Sequence, residues 1–134
     1  MLFQDLMTRK VFTLQRGKKL FIAQQIMEWA HVRHVPVVDA GQRLVGMLSH
    51  RDLLRAAISS ETSSIATMER RQHLAQIAVG DVMRERVISI GPQATCREAA
   101  KLMLDNKIGA LPVVDEDSHL LGILTTQDLL QLVP

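Results

Sequence analysis

Aromatic side chains are nearly missing from this chain: three Phe, one Trp and no Tyr, 3 % of 134 residues. With 47 % hydrophobic residues, the core must be built from Leu, Val, Ile, Ala and Met. The seven Met residues offer an adaptable packing surface. Cysteine occurs once, at Cys96, which excludes an internal disulfide and a Cys-rich metal site. One free thiol and no disulfide framework imply a cytoplasmic setting. No apolar run approaches the ~20 residues of a membrane span, and no signal peptide opens the chain, so no membrane is expected as a partner. Also missing are a Walker glycine loop, a His-Glu-x-x-His pair and a nucleophile elbow. No triad-like context surrounds Cys96 either. The expectation is therefore no enzyme, no catalytic residue and no required cofactor. The formal charge is only +2, and no basic block alternates with aromatics, so nucleic acid is not an expected partner. Small anionic ligands remain compatible with this charge.

What the chain does contain is a duplication. Gly46-Met47-Leu48-Ser49-His50-Arg51-Asp52-Leu53-Leu54 returns 76 positions later as Gly122-Ile123-Leu124-Thr125-Thr126-Gln127-Asp128-Leu129-Leu130. Pro36-Val37-Val38-Asp39 and Pro112-Val113-Val114-Asp115 precede the two copies at the same offset. Two copies make a duplication and not a solenoid. At 15.0 kDa, two half-domains sharing a core fit better than two independent domains. Repeat 1 spans residues 1–58 and repeat 2 residues 79–134, with a connector at 59–78.

Each copy reads as strand, strand, then turn into helix. Val35 to Val38 and Leu44 to Leu48 are short apolar runs, with a turn at Ala40-Gly41. Ser49 stands three residues before Asp52 at the head of an apolar helix, and Thr125 and Asp128 repeat that spacing. One reading is a capping box, in which the hydroxyl accepts from an early helix N–H and the carboxylate reaches back. The other is a nucleotide site, in which free N–H groups at the helix start suit a phosphate and the carboxylate accepts from both ribose hydroxyls. The two readings are compatible.

Other elements follow from pattern. Leu2 to Met7 is a lead-in, and Val11 to Leu14 reads as a strand. Lys18 to Ala30 reads as a helix burying Phe21, Ile22, Ile26, Trp29 and Ala30, with Trp29 in a core or an interface. Residues 65–79 form either an extra amphipathic helix or a solvated connector. Val87 to Ile90 reads as a strand. Thr95 caps a helix from Cys96 to Asn106 with Glu98 three residues on, and that helix buries Ala99, Ala100, Leu102, Met103 and Cys96. His31, His34 and His50 invite a metal assignment, but they lack the fixed local spacing of a zinc site. No metal is assigned.

The ordered set of motifs resembles a tandem CBS domain pair, also called a Bateman module. In the first half it is carried by Met7-Thr8, Val11-Phe12-Thr13-Leu14, Val35-Pro36-Val37-Val38-Asp39 and Gly46-x-x-Ser49-x-x-Asp52. In the second it is carried by Met83, Val87-Ile88-Ser89-Ile90, Leu111-Pro112-Val113-Val114-Asp115 and Gly122-x-x-Thr125-x-x-Asp128. The resemblance covers nearly the whole chain apart from residues near 59–78. It is similar to the regulatory modules of inosine monophosphate dehydrogenase, chloride channels and the γ subunit of AMP-activated protein kinase. It implies an α/β (α+β) fold of two βαββα-like repeats packed sheet to sheet about a pseudo-twofold axis.

The resemblance also implies a regulatory, energy-sensing module that binds AMP, ADP, ATP or S-adenosylmethionine in clefts between the repeats. One cleft would use Asp52, Ser49, Met47 and His34, with Arg51 nearby, faced by Arg84, Val87, Ile108 and Gly109. The other would use Asp128, Thr125, Ile123 and Ala110, faced by Thr8, Val11, Phe12, Val32 and Arg33. Ala110 and Gln127 leave the second cleft less basic, so the first should prefer more phosphorylated ligands. If His34 takes part, its help should grow as pH falls through about 6.5. The family also implies a homodimer and a regulated protein partner. The alternative is a ligand-free dimerisation or docking module.

Overall fold

A computed structural model of the chain describes residues 6–58 and 72–131. The order is α1 (Leu20–Ala30), β1 (His34–Val38), β2 (Leu44–Ser49), α2 (His50–Ile58), a 3-10 turn (Val79–Asp81), α3 (Cys96–Asn106), β3 (Ala110–Val114), β4 (Leu120–Thr125) and α4 (Thr126–Leu130). The fold is mixed α/β with two small sheets, β1–β2 and β3–β4. Every bound from α1 to β2 recurs 76 positions on, from α3 to β4.

The backbone repeats in finer detail. Helices α1 and α3 end in left-handed residues, His31 at φ 55° and Lys107 at φ 54°. The N–H groups of Val32 and Ile108 then close onto the Met27 and Met103 carbonyls. Left-handed turn residues also match, Gln42 at φ 67° and Ser118 at φ 68°. The turn expected at Ala40-Gly41 thus takes its positive φ at Gln42 and not at the glycine.

Spatially the chain clusters into two compact units that interleave the repeats. Among the described residues, one takes 12–40, 45–58 and 72–87, the other 6–11, 41–44 and 88–131. The reason is visible in the strand pairing. Arg84, just before repeat 2 begins its elements, exchanges both backbone bonds with Met47 of β2 at 2.9 Å. Thr8, its counterpart in repeat 1, exchanges both with Ile123 of β4 at 2.9 Å. Each lead-in segment therefore pairs with the last strand of the other repeat. The glycine of the repeated motif makes room for this. A Cβ on Gly46 would meet Met83 Sδ at 2.5 Å and the Arg84 carbonyl at 3.0 Å. On Gly122 it would meet the Thr8 carbonyl at 2.7 Å.

Several sequence expectations need correction. Val11–Leu14 and Val87–Ile90 are not strands. Each contributes a single parallel bridge, Leu14 to Val37 and Ile90 to Val113. The bonds are Leu14 N–H to the Pro36 carbonyl and Ile90 N–H to the Pro112 carbonyl. A residue's N–H and C=O point to the same side of a strand, so each proline lacks its donor on this sparsely paired side and leaves the hairpin ladder intact. The helix expected from Lys18 begins at Leu20, because Lys18 and Lys19 are used in pairing with Val79 and Ala78. Its buried stripe is Leu20, Ala23 and Met27, with Phe21 and Ile26 half-buried. Ile22 and Trp29 face outward, Trp29 being 76 % exposed with its ring edge-on to Phe12 at 5.6 Å. A spacing of three, four or seven fits two adjacent faces of a helix, and the core took the other one.

Each unit has its own aliphatic core. Leu14, Leu20, Val35, Val37, Leu48, Leu53, Leu74 and Val79 belong to one cluster. Leu111, Val113, Leu124, Ala99, Met103 and Ile90 belong to the other, with Cys96 packed against it. Burial at about 25 cal/mol per Å2 of apolar surface makes these side chains the main stabilising term. Residues 72–74 are helical and seat Leu74 in the first core. The rest of the 59–78 connector up to 71, where an extra helix was in question, lies outside the described residues, as do positions 1–5 of the lead-in.

Candidate functional site

The path to Asp52 starts at β1. The N–H of His50 donates to the Arg33 carbonyl at 2.7 Å, which fastens the head of α2 beside the start of β1. Thr126 does the same to Gly109 at 3.1 Å in the second unit. Ser49 and Asp52 then form the capping box. The Asp52 N–H donates to Ser49 Oγ and the Ser49 N–H to Asp52 Oδ2, both at 3.1 Å. Thr125 and Asp128 reproduce it: the Thr125 N–H donates to Asp128 Oδ2 at 2.9 Å and the Asp128 N–H to Thr125 Oγ1 at 3.3 Å. The capping reading is therefore correct for both copies.

Capping does not exhaust Asp52. It is 6 % exposed, the one polar or charged side chain so buried among the described residues. The cap uses Oδ2; Oδ1 faces the Arg84 guanidinium, whose Nε stands 3.6 Å away. A buried carboxylate is costly unless paired and hydrogen-bonded, and here both oxygens are engaged. His34, half-buried at the start of β1, completes the setting. Burial holds its imidazole below the usual histidine range. Asp52 pulls the other way, and Arg33 adds to the lowering. The effect of burial wins, so His34 is neutral near neutral pH. The expectation that its charge would grow through about pH 6.5 is corrected accordingly: the window lies at lower pH.

Asp52, Ser49, Met47, His34, Arg33, Arg84 and Val87 thus belong to one compact unit. Arg51 is exposed at the head of α2. In the other unit stand Asp128, Thr125, Ile123, Ala110, Thr8, Val11, Ile108 and Gly109. Asp128 is half-buried, and among the described residues no ion pair reaches it. Thr8 holds the backbone place that Arg84 holds beside Asp52. Phe12, Val32 and Arg33, expected opposite Asp128, lie in the Asp52 unit, and Ile108 and Gly109, expected opposite Asp52, lie in the Asp128 unit.

The sequence reading passed over one cluster. Asp115, Asp117 and His119 bring possible ligand atoms within 4.8 Å of one another. They sit in the β3–β4 turn, where Asp115 Oδ1 accepts the N–H groups of Asp117 at 2.9 Å and His119 at 2.8 Å. The His119 N–H is the main cause holding the Asp115 carboxyl below its usual range; the Asp117 N–H and the His119 ring add to it. The cluster organises a turn. No helix among the described residues is long and apolar enough to cross a membrane.

The same pattern recurs in known proteins. The family model for the CBS domain matches residues 3–59 and again 79–134. A CBS domain-containing protein of Dictyostelium discoideum is 32 % identical over 132 residues, covering 98 % of this chain and 90 % of that protein. A Vibrio cholerae protein provisionally assigned to acetoin utilization (AcuB) is 40 % identical, with a TM-score of 0.80 over 98 % of this chain and 88 % of its own. The crystal structure of CBSX2, in complex with AMP, is 26 % identical with a TM-score of 0.80, covering 97 % and 93 % of the two chains. Further curated relatives are longer, and the chain spans 45 %, 22 % and 23 % of three of them. With the motif set found twice in sequence, twice in backbone and twice by the family model, this chain belongs to the CBS domain family as a tandem pair.

Proposed function

We propose that this chain is a regulatory module that binds adenosine-containing ligands, with Asp52 and Asp128 as the ribose-binding carboxylates. The observation that carries this is the divided carboxylate of Asp52. One oxygen caps a helix, and the other stands 3.6 Å from the Arg84 guanidinium, whose side chain is largely exposed. A vicinal diol can donate its hydrogen bonds to the oxygen that the cap leaves available. The neutral His34 and the backbone at Met47 and Val87 supply the less polar surroundings that a purine needs. The CBSX2 complex with AMP supports the same ligand class. The chain carries no catalytic machinery of its own in this reading and acts through what it is joined to or docks on, in the cytoplasm, as an energy sensor.

Among the described residues seven large apolar side chains are exposed, Phe12, Ile22, Trp29, Leu54, Ile58, Leu104 and Leu130. They support a homodimer or a docked protein partner alongside ligand binding, because single exposed apolar residues are ordinary but Phe12 and Trp29 pack as a pair. The deciding experiment is a thermal-shift panel of adenosine, AMP, ADP, ATP and S-adenosylmethionine. A native-state ligand raises the melting temperature by mass action. A rise with one or more of these that is reduced in both Asp52→Ala and Asp128→Ala supports the reading. No rise with any of them overturns it and leaves the docking role.

A further inference from the structure

We propose that Arg84 is an exchangeable counter-ion of Asp52, and that this exchange makes the Asp52 site select anionic nucleotides over uncharged nucleosides; this rests on the ribose role of Asp52. The geometry has three parts. First, Asp52 Oδ2 is committed to the Ser49 N–H at 3.1 Å, and Oδ1 carries the Arg84 contact at 3.6 Å. A diol that reaches Oδ1 therefore meets the guanidinium already there. Second, the two partners are unequal. Asp52 is buried, whereas the Arg84 side chain is 58 % exposed. Such a pair is long, single-pronged and open to solvent on the Arg84 side, so the guanidinium is held weakly and can exchange. Third, the Arg84 backbone does not need to move. Its N–H and carbonyl are both bonded to Met47 at 2.9 Å, so only the side chain swings.

The consequence is a balance of charge. A nucleoside that takes Oδ1 displaces a cation and offers nothing in return, leaving the guanidinium to water. A nucleotide takes Oδ1 with its diol and gives the displaced guanidinium a phosphate, which Arg matches in a two-pronged way. Arg33, close enough to His34 to influence it, adds positive potential to the same unit. In the other unit Thr8 holds the corresponding backbone position and has no charge to exchange.

The test uses titration calorimetry with adenosine, AMP and ATP on the full chain carrying Asp128→Ala, which isolates the Asp52 site, with and without Arg84→Gln. Because Arg84 is an exposed side chain, the Gln variant is expected to fold, and Arg84→Lys serves as the charge-retaining control. With Arg84 present, AMP and ATP should bind at least about tenfold tighter than adenosine. Arg84→Gln should weaken AMP and ATP by about tenfold and leave adenosine equal or tighter, so that the preference collapses; Arg84→Lys should restore part of it. Equal weakening of all three ligands would mean that Arg84 only supports the fold, and an unchanged preference would mean that it plays no part in selection; either overturns the exchange while leaving ribose binding at Asp52 intact. Absence of binding by any of the three to the Asp128→Ala chain overturns both the exchange and the ribose role.

Discussion

The Asp52 and Asp128 sites are built on the same nine-residue motif and the same capping box, yet they differ in charge. Asp52 is buried with Arg84 beside it, whereas Asp128 is half-buried with Thr8 at the matching place. The motif itself differs in charge at His50-Arg51 against Thr126-Gln127, but the cation that reaches the Asp52 carboxylate does not come from the motif. It comes from the lead-in segments, which pair with the last strand of the opposite repeat and bring unlike side chains to like backbones. A duplicated chain can therefore keep two identical scaffolds and still present two different electrostatic environments.

The comparison is most sharply tested by removing each carboxylate. Asp52→Ala and Asp128→Ala should each lose charge-assisted ribose bonds worth about 1.5–3 kcal/mol apiece, tenfold or more in affinity at the mutated site. The loss should be smaller at Asp52 by up to about 1 kcal/mol, because the mutation also frees Arg84 from an exposed-side pair. Calorimetry on the two variants measures both; equal affinity to the parent chain at either site removes that carboxylate from the ribose role.

A comparable effect on stability is expected from the glycines. Gly122→Ala sets a Cβ against the Thr8 carbonyl, which is backbone and cannot yield, whereas Gly46→Ala first meets the flexible end of Met83. Urea unfolding should show Gly122→Ala destabilised by about 1–3 kcal/mol and Gly46→Ala by less. The reverse order would place the tighter strand approach in the other unit.

Smaller still are the caps. Ser49→Ala and Thr125→Ala should each cost about 1 kcal/mol. Ser49→Ala should cost more, since it loosens the support of a buried charge and Thr125→Ala does not. Denaturation midpoints of the two variants check the order.

The subtlest difference is the response to acid. His34 has its folded-state range lowered, and Ala110 at the matching place cannot titrate. A histidine lowered on folding contributes stability that is present above its unfolded value near 6.5 and is lost as pH falls through the folded range. Stability should therefore decline below about pH 6.5, and His34→Gln should flatten that decline. An unchanged slope in the variant would assign it to other groups.

Much of this was legible in the sequence. The gapless repeat located β1, β2, β3, β4 and α3, and the Ser-x-x-Asp and Thr-x-x-Asp spacings located both capping boxes. These features are local: hydrophobic runs, caps and turns depend on neighbours a few residues away. The outward turn of Trp29 was not legible, because helical spacing does not say which of two adjacent apolar stripes meets the core. Nor was the reduction of Val11–Leu14 and Val87–Ile90 to single bridges, since β-propensity needs a partner strand to be realised.

The sequence by itself determined that there are two equivalent repeats, where their paired strands lie, and which carboxylates head the helices. Only the tertiary structure decided that Arg84 meets Asp52 and Thr8 meets Ile123, why the motif glycines are required, and that burial keeps His34 neutral. Those facts depend on segments far apart in the chain, and the free energy of a buried charge depends on everything around it.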